Sequence, residues 1–463
     1  MSNFWDFSVW GGLNLVTVLL LSLLFANLLK RTIKFLRDSL IPVSVLGGGI
    51  LILIEALYSL ITGGQHMFDT AFFGGNGTEV LEIITYHALA LGFIASTFKS
   101  SNAKLTKERT VEIFNTGVTT VSTYLLQAVV GLGITIIAAF LIKDFFAAAG
   151  LLLPFGYGQG TGQALNYGGI YQTDFGFVGG RSFGLTIAAL GFLSASIGGV
   201  IHLNILRKKG KVKTGDFKDT QAKKDALAEC EVPMQESIDK MTIQIALIAL
   251  AYVLAYGLMS LLGNLVPSMK SVIFGFNFLL GVLATTLIKS VMNLLRKKRI
   301  IKKQPVNNYL MTRLSNFSFD IMVVAGIAAI RLSILEQYWG IMLILGAVGL
   351  VITYVYNYIV AKTLFKNYPE EQFLAMFGML TGTASTGVIL LREIDGEFKS
   401  PASDNLVYQN FPAIVFGFPI MLLATLAPVK PILTLIILTC FFVVMNIILF
   451  RSKIFKKRNN KDK

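Results

Sequence analysis

Charge is what this chain has least of for its size. Asp, Glu, Lys and Arg together make up 14% of its 463 residues, against roughly 25% in an ordinary soluble domain. That deficit excludes a water-soluble globular fold, because too few ionised groups remain to cover the surface. Cysteine is almost absent: Cys230 lies in a charged loop and Cys440 in an apolar run. With no C-x-x-C spacing, neither a disulfide framework nor a zinc site is expected. The first ten residues lack a basic start, and the apolar run from Val9 to Leu29 is too long for the core of a secretory signal, so it is expected to be a membrane span. The glycine-rich stretches are followed by no Gly-Lys-Ser/Thr and preceded by no strand, which argues against nucleotide binding. The apolar segments hold no His/Asp/Ser or metal-ligand cluster at useful spacing, which argues against a membrane enzyme.

What is present is apolar sequence, 54% of the chain, with mean hydropathy +0.67. A helix needs ~20 apolar residues to cross a bilayer. About eleven segments reach that length: 9–29, 40–62, 81–98, 115–142, 184–206, 241–264, 271–295, 317–335, 338–361, 404–428 and 431–450. The expected fold is therefore all-α, a polytopic membrane protein embedded in a lipid bilayer. The net charge of +15 does not point to nucleic acid. The Lys and Arg residues sit in short loops between spans, and no basic face carries interleaved aromatics.

Those loops alternate. Lys30, Arg31, Lys34 and Arg37 lie in one basic loop, and Lys99, Lys104, Lys107 and Arg109 in the next. The runs Arg207–Lys240 and Arg296–Arg313, then Lys362 and Lys366, then the tail from Arg451 continue the series. The positive-inside rule places the N-terminus outside and the C-terminus in the cytoplasm. The alternation holds only if two Gly-rich polar stretches, 145–176 and 371–392, leave on the side they entered, as re-entrant hairpins. The loop 208–240 then separates two five-span repeats, 1–207 and 241–428. Each has a hairpin between its fourth and fifth spans, and the two are inverted in topology. The last span and tail, 429–463, fall outside the repeat. Inverted repeats whose broken helices meet near mid-membrane are a common architecture of secondary transporters.

The hairpins carry the expected chemistry. The first contains Gly158-Gln159-Gly160-Thr161-Gly162-Gln163, and the second contains Thr381-Gly382-Thr383-Ala384-Ser385-Thr386-Gly387. Irregular backbone at membrane depth persists only where protein or a wet cavity surrounds it. There, carbonyl and hydroxyl oxygens can replace the water around a hard cation such as sodium. Helix N-termini near Thr161 and Ser385 offer N–H groups to an anion. The residues expected to bind substrate are Gln159, Gly160, Thr161, Gly162 and Gln163 with Thr383, Ala384, Ser385 and Thr386. Those expected to bind sodium are Gly158, Thr161, Thr381, Gly382 and Thr383. Glycine runs elsewhere, Gly47-Gly48-Gly49 and Gly198-Gly199, read better as helix contacts.

Ionisable residues inside spans are costly and need a reason. Glu55 reads as structural before it reads as a proton or ion site, and His87 as a satisfied buried imidazole. Asp320, next to Asn316 and Ser318, is balanced between neutralising a sodium ion and capping its helix. Arg331 reads as a headgroup contact ahead of a substrate-carboxylate partner. Tyr354, Tyr356 and Tyr358 read as an interfacial or packing stripe ahead of a cation–π site.

Taken in order, these segments resemble the bacterial sodium/glutamate symporters. Gly158-Gln159-Gly160-Thr161-Gly162 is similar to that family's G-H-G-T-G signature, with Gln159 in place of His, and Tyr171–Phe177 is similar to the aromatic stretch after it. Ile41-Pro42 with Gly47-Gly48 resembles the family's lead into the second span. Asn316 and Ser318 look like its N-x-S start, which adds them and Asp320 to the sodium set. Gly382, Thr383, Thr386 and Pro412 match more loosely. The resemblance covers most of residues 10–428. It implies sodium-coupled uptake of L-glutamate by an elevator-like alternating-access homodimer, with Na+ as the coupling ion. The residues themselves leave open a sodium- or proton-coupled carrier of another anionic amino acid or a dicarboxylate.

Overall fold

The structure is a computed structural model. It describes residues 4–38, 40–99, 106–210, 238–267, 270–275, 277–299, 305–332, 338–395 and 400–454. Most of the loop 208–240, including Cys230, lies outside the described residues. Those described form helices and connecting turns, with no β-strand among them. The principal helices are α1 Phe7–Thr32, α2 Val43–Thr62, α3 Gly77–Phe98, α4 Lys107–Leu141, α5 Thr161–Phe175 and α6 Gly180–Lys208. They continue with α7 Lys240–Leu265, α8 Asn277–Lys297, α9 Asn308–Ala328 and α10 Trp339–Leu364. The remainder are α11 Pro369–Thr381, α12 Ala384–Arg392, α13 Ala402–Tyr408, α14 Asn410–Leu426 and α15 Pro431–Leu449.

Among the described residues, 10 helices are long and apolar enough to cross a membrane. Their outward faces are apolar too: Leu13, Leu20, Leu24 and Leu28 of α1, and Leu53, Leu57 and Leu60 of α2, are exposed. A helix that is apolar all round belongs in lipid, so the chain is an all-α polytopic membrane protein.

Three helices begin before their apolar runs do, because side chains fix the start. The Thr106 hydroxyl accepts from Arg109 N and starts α4 ahead of residue 115. Asn307 Oδ1 accepts from Leu310 N, so α9 starts at Asn308 and ends at Ala328, where hydropathy suggests 317–335. Asp69 Oδ1 accepts from Thr78 N at the start of α3. These are N-terminal caps for otherwise orphaned donors. The expected span 404–428 is instead two helices, α13 and α14, that meet at Gln409. Pro412 lacks the N–H that would continue the ladder. Gln409 Oε1 accepts from the Thr120 hydroxyl at 2.7 Å, which anchors the joint to α4.

The chain divides into two compact units. One is 1–85, 105–203 and 323–463; the other is 86–104 and 204–322. The second unit has a core of Ile94, Ala95, Phe98, Ile248, Ala251, Ile288 and Met311. There the Ser315 hydroxyl donates to the Gly92 carbonyl at 3.0 Å, and the Phe319 ring lies so close to Gly92 that no side chain would fit. In the first unit α4 is the central element, touching α10, α14, α15 and both Gly-rich stretches. Gly47 packs on Ser22, Gly48 on Ile327, Gly198 on Phe377 and Gly199 on Leu390, so these four serve close helix contact, whereas a Cβ on Gly49 would meet open space.

Candidate functional site

Both Gly-rich stretches are helix–break–helix hairpins within the first unit. In the first, a π-helical turn Pro154–Gly158 leads to a break at Gln159–Gly160 and then α5. The Phe155 and Tyr167 rings stack at 3.9 Å and clamp the two arms together. Gly160 has φ +81°, a backbone conformation that only glycine adopts without strain. In the second, α11 and α12 lie side by side across Gly382–Thr383. A Cβ on Gly387 would stand 2.4 Å from the Ala375 carbonyl oxygen, so the arms meet backbone to backbone.

One helix holds both breaks. The Tyr124 hydroxyl of α4 donates to the Gly158 carbonyl at 3.0 Å. One turn further on, Gln127 Nε2 donates to the Leu380 carbonyl at 2.9 Å and to the Thr353 hydroxyl at 2.9 Å. Gly191 of α6 sits between the two hairpins, where a Cβ would be 2.5 Å from the Thr381 oxygen and 3.1 Å from the Tyr157 ring. Tyr157 closes the arrangement, bonding to Ser194 Oγ at 2.8 Å and donating to the Gly346 carbonyl at 2.6 Å. The hydrogen bonds along this face of α4 continue. Gln372 Nε2 donates to Thr116, Asn405 Nδ2 donates to Gln372 and to the Tyr368 hydroxyl, and Asn357 Nδ2 donates to Thr123. Burial pushes the Tyr368 phenol well above its usual pKa, so it stays neutral.

The residues predicted from the sequence fall into place unevenly. Thr161 is fully buried at the first position of α5, and Gly326 lies against its Cβ. Gln163, two residues on, is 2% exposed, and neither its amide nitrogen nor its amide oxygen has a partner. A buried amide with both atoms unpaired is costly. Gly158 and Gly162 are buried and Gln159 is half-buried. In the second hairpin, Thr381 donates its hydroxyl to the Phe377 carbonyl at 2.6 Å, and Thr383 and Thr386 face one another at 3.4 Å. A Cβ on Gly382 would stand 2.9 Å from Thr386 Oγ1. Ala384 is exposed, and Ser385 stands at the second position of α12. Asn316, Ser318 and Asp320 lie in the second unit, on α9. Asn316 and Asp320 are exposed one turn apart, and the Ser318 hydroxyl donates to Leu314 in its own helix.

The ionisable residues have local partners. Glu55 accepts from Met67 N at 2.9 Å and pairs with His66 at 3.0 Å, a structural role. Arg331 pairs with Asp69 at 3.0 Å. His87 bonds to Tyr252 at 2.6 Å but is exposed, which corrects the expectation of a buried imidazole. Tyr354 and Tyr358 pack with Phe373, Tyr356 packs with Phe442, and the Lys362 ammonium lies 5.4 Å from the centre of the Tyr358 ring. Sequence reasoning did not single out Tyr124, Gln127, Thr353 or Asn357. The available signal was the polar series Thr116, Thr120, Thr123 and Gln127, spaced to share one face of an otherwise apolar span.

A comparison with curated protein sequences found no match. The family model described as "Sodium/glutamate symporter" matches residues 11–399. The match takes in all of the first hairpin, α4, α9 and α10, and the second hairpin to the end of α12. On that extent of match the chain belongs to the sodium/glutamate symporter family, whose coupling ion is Na+.

Proposed function

We propose that the protein is a secondary active transporter that takes up L-glutamate with sodium by alternating access. The observation that carries this reading is the pairing of the two hairpin breaks on α4, through Tyr124 to Gly158 and Gln127 to Leu380. Both hairpins belong to one compact unit, which supports their moving as one body in an elevator-like step. Gln159–Gln163 and Thr383–Thr386 form the substrate site. The unpaired Gln163 amide and the N–H groups at the start of α5 face the glutamate carboxylates. Gly158, Thr161, Thr381, Gly382 and Thr383 supply oxygens to sodium, with Asn316, Ser318 and Asp320 as a further set. The two halves of the chain are inverted repeats with re-entrant hairpins. The N-terminus is outside, the C-terminus is cytoplasmic, and the working form is a homodimer.

Counterflow tests the carrier reading. Proteoliposomes loaded with unlabelled L-glutamate should transiently concentrate labelled L-glutamate, and only with sodium present. Flux without overshoot would mean a channel. Overshoot driven by protons, or with dicarboxylates in preference to glutamate, would move the assignment to the alternative substrates and coupling ion.

A further inference from the structure

The side chains between α4 and α10 hold two oxygen atoms with nothing to bind. Gln127 Oε1 and Asn357 Oδ1 are both buried and unpartnered, and both residues are 1% exposed or less. The orientation of each amide is fixed by its neighbours. Gln127 Nε2 donates to the Leu380 carbonyl, and Asn357 Nδ2 donates to the Thr353 carbonyl at 2.9 Å. A carbonyl only accepts, so a flipped amide would set oxygen against oxygen in both places. The orphan atoms are therefore oxygens, and what they lack is a donor or a cation.

The geometry brings them to one place. Thr123 and Gln127 are one turn apart on α4, and Thr353 and Asn357 are one turn apart on α10. The two pairs are cross-linked, Gln127 to the Thr353 hydroxyl and Asn357 to the Thr123 hydroxyl. The Leu380 carbonyl, to which Gln127 is bonded, is in the last turn of α11. The C-terminal carbonyls of a helix carry partial negative charge and favour cations. The cluster thus combines side-chain amide oxygens, a threonine hydroxyl and a helix C-terminus, the oxygen-only set that suits a hard cation.

We propose that Gln127 and Asn357, with Thr353 and the Leu380 carbonyl, form a sodium site at the junction of α4, α10 and the second hairpin. It rests on the reading of the protein as a sodium-coupled carrier and adds residues outside both hairpin loops. Every side chain in the cluster is neutral. A cation there lacks a resident counter-charge, and a bound glutamate anion supplies one. Sodium and glutamate then raise each other's affinity by the same factor. Breakage of the Gln127–Leu380 bond as the tip moves would also tie sodium occupancy to the position of the hairpin.

The test uses purified full-length protein and a readout other than transport. The thermal midpoint is followed while NaCl replaces choline chloride at constant ionic strength, with and without L-glutamate. Wild type should be stabilised by sodium, with half-saturation at lower sodium when glutamate is present. Asn357→Leu and Thr353→Val should raise the sodium needed by about tenfold or more, the scale expected when a metal-supporting contact is lost. Thr353→Ser, which keeps the hydroxyl oxygen and can form a folded reference if the others are unstable, should retain the sodium response. A single ordered water bridging the two oxygens would leave half-saturation unchanged in all three variants, and that result overturns the proposal. If wild type itself shows neither sodium stabilisation nor sodium-driven uptake, the carrier reading falls with it. Sodium-driven uptake with wild-type half-saturation in every variant removes only this site.

Discussion

Tyr124 donates to the Gly158 carbonyl, and Gln127 donates to the Leu380 carbonyl and the Thr353 hydroxyl. Removing the hydroxyl in Tyr124→Phe strands the buried Gly158 carbonyl, a loss of about 1–3 kcal/mol. The ring itself stays, because it packs where a Cβ on Gly158 would lie 2.1 Å away. The expected outcome is a folded protein with weakened glutamate binding, measured by isothermal titration; unchanged affinity would reduce Tyr124 to packing. Thr161→Val and Thr383→Val remove hydroxyls at nearly constant shape. They should weaken sodium or glutamate binding by more than they lower the thermal midpoint, and full transport with unchanged sodium dependence in both would make the tips packing elements. Single residues were also where the sequence was hardest to read. Gln163 stood out because it follows a glycine-rich break. Gln127 did not, because one amide in a span is usually a packing contact, and its partner carbonyl lies 253 residues away.

At the scale of elements, hydropathy located the spans well and their ends poorly. Apolar runs mark where lipid solvates a helix, whereas caps such as Thr106 and Asn307 decide where it begins. The division of 404–428 into α13 and α14 was signalled by Pro412, but the anchoring of Gln409 to Thr120 was not legible from composition. The hairpins were visible as glycine-rich polar interruptions, because irregular backbone needs small residues where it packs tightly. The second hairpin gives a sharp test. Gly387→Leu forces a side chain into the Ala375 carbonyl and should separate α11 from α12. Overpacking of this kind costs about 1–3 kcal/mol. Loss of sodium-driven uptake with a lowered thermal midpoint is expected, while Gly387→Leu with wild-type uptake would mean the arms do not need their close approach.

For the whole molecule, charge distribution sets the orientation proposed here. The loop 208–240 is rich in lysine and most of it lies outside the described residues, so its side of the membrane is a question for labelling. A cysteine introduced as Lys213→Cys should react in intact cells only with a membrane-permeant reagent. Reaction with an impermeant reagent would reverse the orientation and undo the inverted-repeat assignment.

The central claim is that a sodium gradient drives glutamate through the paired hairpins. Its most direct test is accumulation of labelled L-glutamate in proteoliposomes containing the purified chain, with membrane potential and pH clamped. An inward sodium gradient should drive glutamate well above its external concentration, and replacing sodium with choline on both sides should abolish the accumulation. Equal accumulation with and without the sodium gradient, or accumulation that follows only a proton gradient, would contradict the account.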